Sequence, residues 1–365
     1  MRKNFIVFGD FHWHNFTNFA RPMIFDYKGK QIEVTDRLLA QWNTMEKVFE
    51  LADKHNANII FTGDYFHARK RVESVVFNMG FNVIKDNMEK REDLHMYMIV
   101  GNHDQQDSSD FPEHSLETFK AIPRVHIMDD FEPVHTENAV LYPISYSDNV
   151  DFIKSKIDEF AAHAETIDKD KTPILVAHLG VDGSETGRHS HRLGGAFSLG
   201  DLHPLVFGYI ALGHYHKWQF LEDTGTAFYA GNTIQESFSD EGQDKGVFLI
   251  DMEKLGHPEF IPIENKKFIT LTEIDENTQE IVDNNYVRMI IPQELATEVE
   301  IFKESSDNLR VEVQKEYKAD LRIDIKVGSD EADIVKAYTD MFFTGVQDKA
   351  LAVLKMAQQQ KVEED

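Results

Sequence analysis

The sequence predicts an α/β fold, and three observations carry that prediction. Five short apolar runs, "FIVFGDFHWH", "NIIFTGDYFH", "MYMIVGNHD", "PILVAHLG" and "YIALGHYH", each stop abruptly at Gly or at polar residues. Runs of this length, rich in β-branched and aromatic residues, read as buried strands. Helical patterns lie between the first runs, and strand alternating with helix marks an α/β layered domain. After Tyr209 the pattern changes to short strands and turns, as in "KWQFLEDTGTAFYAGN" and "KGVFLIDMEK".

Taken in order, the first strand run leads to the amphipathic stretch Asp36 to Asn56. There Leu38, Leu39, Trp42, Met45, Val48, Phe49 and Ala52 share one helical face. The second run precedes another helical stretch, "VESVVFNMGFNVIKDNMEKR". One large domain is expected over 1–264. A small α/β unit is expected over 265–328, with "YVRMIIP" and "LRVEVQKEY" as strands and "ATEVEIFKESSDN" as a helix. From 329 to 365 the chain reads as helical. Ser329 is the expected N-cap, with Asp330 and Glu331 in the first turn. Ile334, Val335, Tyr338, Met341 and Phe342 form an apolar stripe, suited either to the chain's own core or to a partner. Gly345 separates it from a second helix, "DKALAVLKMAQQQ".

The chain has 365 residues, 41% hydrophobic and 28% charged, which reads as a globular protein with a large core. No run approaches the roughly 18 apolar residues of a membrane span. The start, "MRKNFIVFGD", is too short and too soon acidic for a signal peptide. Cysteine is absent, which excludes disulfides, thiolate zinc sites and a cysteine nucleophile, and suits a reducing cytoplasm. With 17 histidines, any metal must be held by imidazole and oxygen donors. The net charge of −26 repels nucleic acid in bulk.

The polar ends of the five runs hold the chemistry. They contribute Asp10 and His12, then Asp64 and His67, then Asn102, His103 and Asp104, then His178, and last His214 and His216. Strand ends gather along one edge of an open α/β sheet, where ligands bind. Asp10, His12, Asp64, Asn102, His178, His214 and His216 are too many donors for one metal and suit two. A sulfur-free His/Asp/Asn set fits Mn²⁺, Fe or Zn²⁺, and also Mg²⁺. Two ions about 3.5–4 Å apart form a clamp for phosphoryl chemistry. Asp64 is the expected bridge. Asp10, His12 and His216 are assigned to one metal, and Asn102, His178 and His214 to the other. His103 is left beside the metals as general acid or positive clamp. Asp104 is expected to accept a hydrogen bond from its imidazole.

The motifs D-x-H, G-D-x-x-H, G-N-H-D, a strand-end A-H and G-H-x-H resemble the calcineurin-like metallophosphoesterases. "ILVAHLGVDGSETG", "YIALGHYHK" and "YAGNTIQESFSDEGQDKGVFLID" look like the SbcD/Mre-type exonuclease subunits that process double-strand breaks. The likeness covers roughly residues 1–262 and the tail only by layout. It implies a four-layer αββα sandwich, two sheets between helices, with the site at the strand ends. It further implies Mn²⁺-dependent cleavage of DNA, at duplex ends and in single strands, and a small capping domain. A coiled-coil SbcC/Rad-type ATPase docking on C-terminal helices is implied as partner, as is a homodimer, here through helices near Arg69 to Arg91. His67 matches a residue implicated in exonuclease action. His14 departs from the family pattern and reads as part of the rim. The segment after Val327 is short, as in phage or small bacterial versions, which places the protein in a prokaryotic or phage-infected cytoplasm.

Two basic islands oppose the acidic charge and are candidate DNA contacts: Arg69, Lys70 and Arg71 beyond His67, and Arg188 and Arg192 in a Gly-rich loop. A small-substrate phosphodiesterase or phosphatase on the same site is the main rival reading. A non-catalytic scaffold would be expected to lose ligands or His103, and all are present.

Overall fold

The structure is a computed structural model that describes residues 2–185, 195–254, 256–292, 302, 308–314 and 329–363. The chain forms two compact units, Met1–Val313 and Gln314–Asp365.

In chain order the first unit begins with β1 (Asn4–Phe8), the hairpin β2 (Pro22–Tyr27) and β3 (Lys30–Thr35), α1 (Asp36–Lys54) and β4 (Ala57–Phe61). Next come α2 (Ser74–Glu89), β5 (Met96–Met98), β6 (Val125–Ile127), β7 (Val134–His135), β8 (Ala139–Ile144), α3 (Val150–Ala164) and β9 (Thr172–His178). Then follow β10 (Tyr209–Gly213), β11 (Gln219–Phe220), β12 (Ala227–Tyr229), β13 (Gly246–Ile250) and β14 (Glu259–Pro262). One six-stranded sheet runs β14-β13-β1-β4-β5-β6, and the other β11-β12-β10-β9-β8-β7. The neighbours β1, β4, β5 and β6 are parallel, as are β8, β9, β10 and β12. β7, β11, β13 and β14 are attached antiparallel.

The strand runs are apolar throughout because each strand buries both faces. Ile6 and Phe8 of β1 pack with α1 and α2, whereas Phe5 and Val7 face the other sheet. In β9, Leu175 and Ala177 pack with α3, and Ile174 and Val176 face the first sheet. The two sheets therefore share an inner apolar layer, with α1 and α2 outside one and α3 outside the other. α1 starts where the Thr35 side chain accepts a hydrogen bond from the Leu38 amide, with Asp36 in its first turn.

A three-stranded sheet, β15 (Phe268–Leu271), β16 (Tyr286–Pro292) and β17 (Leu309–Gln314), follows with α4 (Thr278–Asn284). Val282, Val287, Met289, Ile291 and Leu309 form its core. The helix expected over 296–308 lies outside the described residues apart from Phe302 and Asn308. This small sheet is tied to the loop after β1 by a buried arginine. The Arg37 guanidinium lies 4.2 Å from the Phe16 ring centroid, 5.1 Å from Phe268 and 5.4 Å from Tyr286. It also donates to the Asn18 and Glu236 carbonyls, at 3.1 and 2.6 Å. The Phe268 amide donates to Gln235, and Lys266 lies 3.4 Å from Asp36.

The second unit contains α5 (Glu331–Phe342) and α6 (Gln347–Glu363). Its N-cap is Asp330, whose side chain accepts from the Asp333 amide at 2.8 Å. The expected cap, Ser329, lies one residue before it. Ile334, Val335, Tyr338, Phe343, Val346 and Val353 line an apolar groove on this helical hairpin. Met341 and Phe342 are exposed. No helix among the described residues is long and apolar enough to cross a membrane.

Candidate metal centre

The C-terminal ends of β1, β4, β5, β9 and β10 converge. Beyond their strands, the Asp10 and Asp64 loops run side by side. The amides of Asp10, His12 and Trp13 donate to the carbonyls of Gly63, Asp64 and Tyr65, at 2.9, 3.1 and 2.8 Å. Asp10 (φ 46°), His12 (φ 51°), Asp64 (φ 62°) and His214 (φ 106°) all have left-handed backbone. Such conformations cost energy in non-glycine residues and persist only where surrounding contacts hold them. The Gly before Asn102 is a steric requirement. A Cβ on Gly101 would lie 2.2 Å from Asp64 Oδ1.

The donor atoms face one another. His12 Nε2 is 3.1 Å from His216 Nε2, and Asp10, His12 and His216 place donors within 4.8 Å of one another. On the other side, Asn102 Oδ1 is 3.0 Å from His178 Nε2 and 3.2 Å from His214 Nδ1. Asp64 stands between the two sets: its Oδ2 is 3.7 Å from His12 Nε2 and 3.4 Å from His178 Nε2. The His103 amide donates to the other oxygen, Oδ1, at 2.7 Å. His178 Nδ1 lies 2.8 Å from the Thr62 carbonyl, which can only accept, so Nδ1 carries hydrogen and Nε2 is presented to the site.

This set fits divalent cations. Asp10 and Asp64 are fully buried, and no Lys or Arg forms an ion pair with either among the described residues. Burial raises the Asp10 carboxyl to about 7. Burial also pushes Asp64 up, but His178 and His12 outweigh it and hold Asp64 well below the carboxylate range. Burial lowers His12 and His216, and brings His214 to about 4, so these rings offer lone pairs. Burial also disfavours charge on His178, but Asp64 and Asp10 raise it to about 9. A cation at Nε2 would replace that proton.

His103 and His67 flank these donors. The His103 ring is 4.7 Å from His12, and its Nδ1 is 2.6 Å from the His67 carbonyl, fixing that nitrogen as the donor. The His67 ring sits 5.6 Å from His103, 5.0 Å from His14 and 5.3 Å from Phe16. Burial, with His14 and His103 nearby, lowers His67 to about 4. His14 packs beside His67 and belongs to none of the donor groups.

Asp104 corrects the expectation drawn from its neighbour. Its carboxylate does not meet the His103 ring. It turns inward and accepts from the backbone amides of Asp64, Tyr65, Phe66 and Gly101 at 2.9–3.1 Å. Four amides from two loops outcompete one imidazole, so Asp104 fastens the Asp64 turn to the Asn102 turn. Arg69, Lys70 and Arg71 are exposed, and the first two line a cavity beside Asp104. Arg188 and Arg192 lie outside the described residues.

Sequence reasoning missed Lys245. Its buried ammonium donates to the His216 carbonyl at 2.9 Å and pairs with Asp240 at 3.0 Å, supporting the last donor from behind. The stretch "SDEGQDKG" reads as an ordinary polar turn, and only the fold brings it under His216.

The family model for calcineurin-like phosphoesterases matches residues 3–218, more than half of the chain. The chain belongs to this family. This phosphoesterase is also similar to SbcD, a component of the nuclease SbcCD, from Staphylococcus epidermidis, with 23% identity over 297 residues. That alignment covers 71% of this chain and 79% of the relative. With its buried His/Asp groups, the protein is a metal-dependent phosphoesterase.

Proposed function

We propose that the protein is a two-metal DNA nuclease subunit that works with a coiled-coil SbcC/Rad-type ATPase in DNA end processing, recombination and repair. The two-metal part of this reading is supported by Asp64 Oδ2 lying between the two donor sets, and the DNA and ATPase part by the similarity to the nuclease subunit SbcD. Asp10, His12 and His216 would hold one ion, Asn102, His178 and His214 the other, and Asp64 both. These mixed nitrogen and oxygen donors fit Mn²⁺, Fe or Zn²⁺ and also Mg²⁺, and Mn²⁺ is the ion that the resemblance to the SbcD/Mre-type nucleases implies. When bound, the ions activate water and stabilise the leaving oxygen of a phosphodiester. His103 donates its Nδ1 hydrogen to the His67 carbonyl, so a second proton, carried at Nε2, would be the one passed to the departing alkoxide as the P–O bond breaks, leaving a neutral ring. His67 orients His103 through that carbonyl. Arg69, Lys70 and Arg71, exposed just beyond His67 in sequence, are candidate DNA-phosphate contacts, and Arg188 and Arg192 are further candidates.

The two-sheet core and its flanking helices support the family's four-layer architecture. We read 1–264 as the nuclease domain, 265–328 as the cap and 329–365 as the partner-binding segment. The apolar groove of α5 and α6 suits an amphipathic coiled coil. We also read a homodimer in the cytoplasm; a monomeric mass in light scattering at micromolar protein would contradict the dimer. The charge of −26 favours a second reading, a small-substrate phosphodiesterase. End-labelled duplex DNA, incubated with Mn²⁺ and with bis-p-nitrophenyl phosphate in parallel, separates the two. The nuclease reading predicts DNA cleavage that His103→Ala lowers by about 10²–10⁴-fold and that Asp64→Ala abolishes. Ester hydrolysis with DNA intact, even after addition of the ATPase, would establish the second reading.

A further inference from the structure

A pocket of about 240 Å³ opens beside His178 and His214, and the centre described above makes no use of it. Its walls include Ile144, Tyr146, Leu179, Phe197 and Tyr215. Tyr146 is half-buried, and its ring lies 5.9 Å from the His214 ring, tilted by 31°. It is held at both ends. Its hydroxyl donates to Asp148 at 2.7 Å, and its carbonyl accepts from Gln105 at 2.6 Å. Phe197 and Leu179 are buried and apolar. The Tyr215 ring packs 5.0 Å from both His214 and Tyr229. The Tyr215 hydroxyl lies over Gly180, where a Cβ would meet it at 2.8 Å.

Among the described residues no Lys or Arg lines the pocket, and Asp148, which does line it, disfavours an anion there. Aromatic and apolar side chains from Tyr146, Leu179, Phe197 and Tyr215, with Ser145, Ser147 and Asp148 between them, suit a flat heteroaromatic ring with polar edges. Its position next to two candidate metal ligands limits that ring to one attached close to the reacting phosphate. We propose that this pocket seats the nucleobase adjoining the scissile phosphodiester. Tyr146 gives it a stacking face, and the Tyr215 hydroxyl meets an edge atom. The inference rests on the phosphodiester reading above and deepens it.

The test compares two esters with the same leaving group, thymidine 5′-(p-nitrophenyl phosphate) and methyl p-nitrophenyl phosphate, with Mn²⁺. The readout is the ratio of their kcat/KM values. Base stacking is worth about 1–3 kcal/mol, so the ratio in the unmodified protein is expected to be about 10 or more. Tyr146→Ala should lower it by about 10-fold, and Tyr146→Phe, which keeps the ring, should restore it. Tyr146→Leu replaces Tyr146→Ala if the latter does not fold. Hydrolysis of both esters at a ratio near one, or a ratio that Tyr146→Ala does not change, would overturn the base seat alone. Hydrolysis of neither ester would overturn the phosphodiester reading, and the base seat with it.

Discussion

Asp104 fastens the Asp64 and Asn102 turns to each other by accepting four backbone amides. Hydrogen bonds to a charged group contribute about 1.5–3 kcal/mol each, and an amide left unpaired in a buried site costs about 1–3 kcal/mol. An asparagine can present only one oxygen there. Asp104→Asn is therefore expected to destabilise the protein by about 2–3 kcal/mol in urea unfolding; an unchanged midpoint would show that the turns do not depend on it. At this scale the donors were legible, because Asp, His and Asn each end an apolar run. The direction of a side chain was not. Asp104 follows His103 in sequence, yet its carboxylate points away, and nothing in the spacing says so. Lys245 was hidden for a similar reason, since its contact with His216 spans 29 residues.

Between elements, Arg37 joins the small sheet to the loop that carries Phe16 and so reaches His67. Arg37→Met keeps much of the volume but removes the hydrogen bonds to Asn18 and Glu236. It is expected to raise hydrogen exchange together in residues 14–21 and 266–292; protection lost in only one segment would refute the coupling. Asp129 makes a comparable tie, pairing with His114 at 2.9 Å and Lys120 at 2.7 Å. Burial raises its carboxyl, but these two partners outweigh it and hold it at about 2, below the ordinary 3.8. Because the folded value is depressed, its contribution is present above about pH 4 and disappears as pH falls towards 2. Screened by solvent at this half-buried site, the acid loss is expected to be about 1 kcal/mol, and Asp129→Asn should remove it from the pH dependence of unfolding. The strand runs and the helices Asp36–Lys54 and Ser74–Glu89 were legible because burial on one or both faces writes its period into the sequence. The hairpin β2–β3 was not. Only Phe25, Tyr27, Ile32 and Val34 pack inward, and the turn depends on left-handed Lys28 and Gly29.

For the molecule as a whole, a charge of −26 sets a limit that local geometry does not remove. DNA binding by the isolated chain is expected to be weak and to fall steeply between about 50 and about 200 mM salt; salt-independent binding in a filter or anisotropy assay would contradict phosphate contact. The central claim is that the buried donors hold two ions that share Asp64. Its most direct test is the number of Mn²⁺ ions bound per chain, measured by elemental analysis after dialysis, for the unmodified protein and for Asp64→Ala. The account predicts two ions per chain, and fewer than two, with hydrolysis lost, in Asp64→Ala. One ion in the unmodified protein, or two retained by Asp64→Ala, would contradict it.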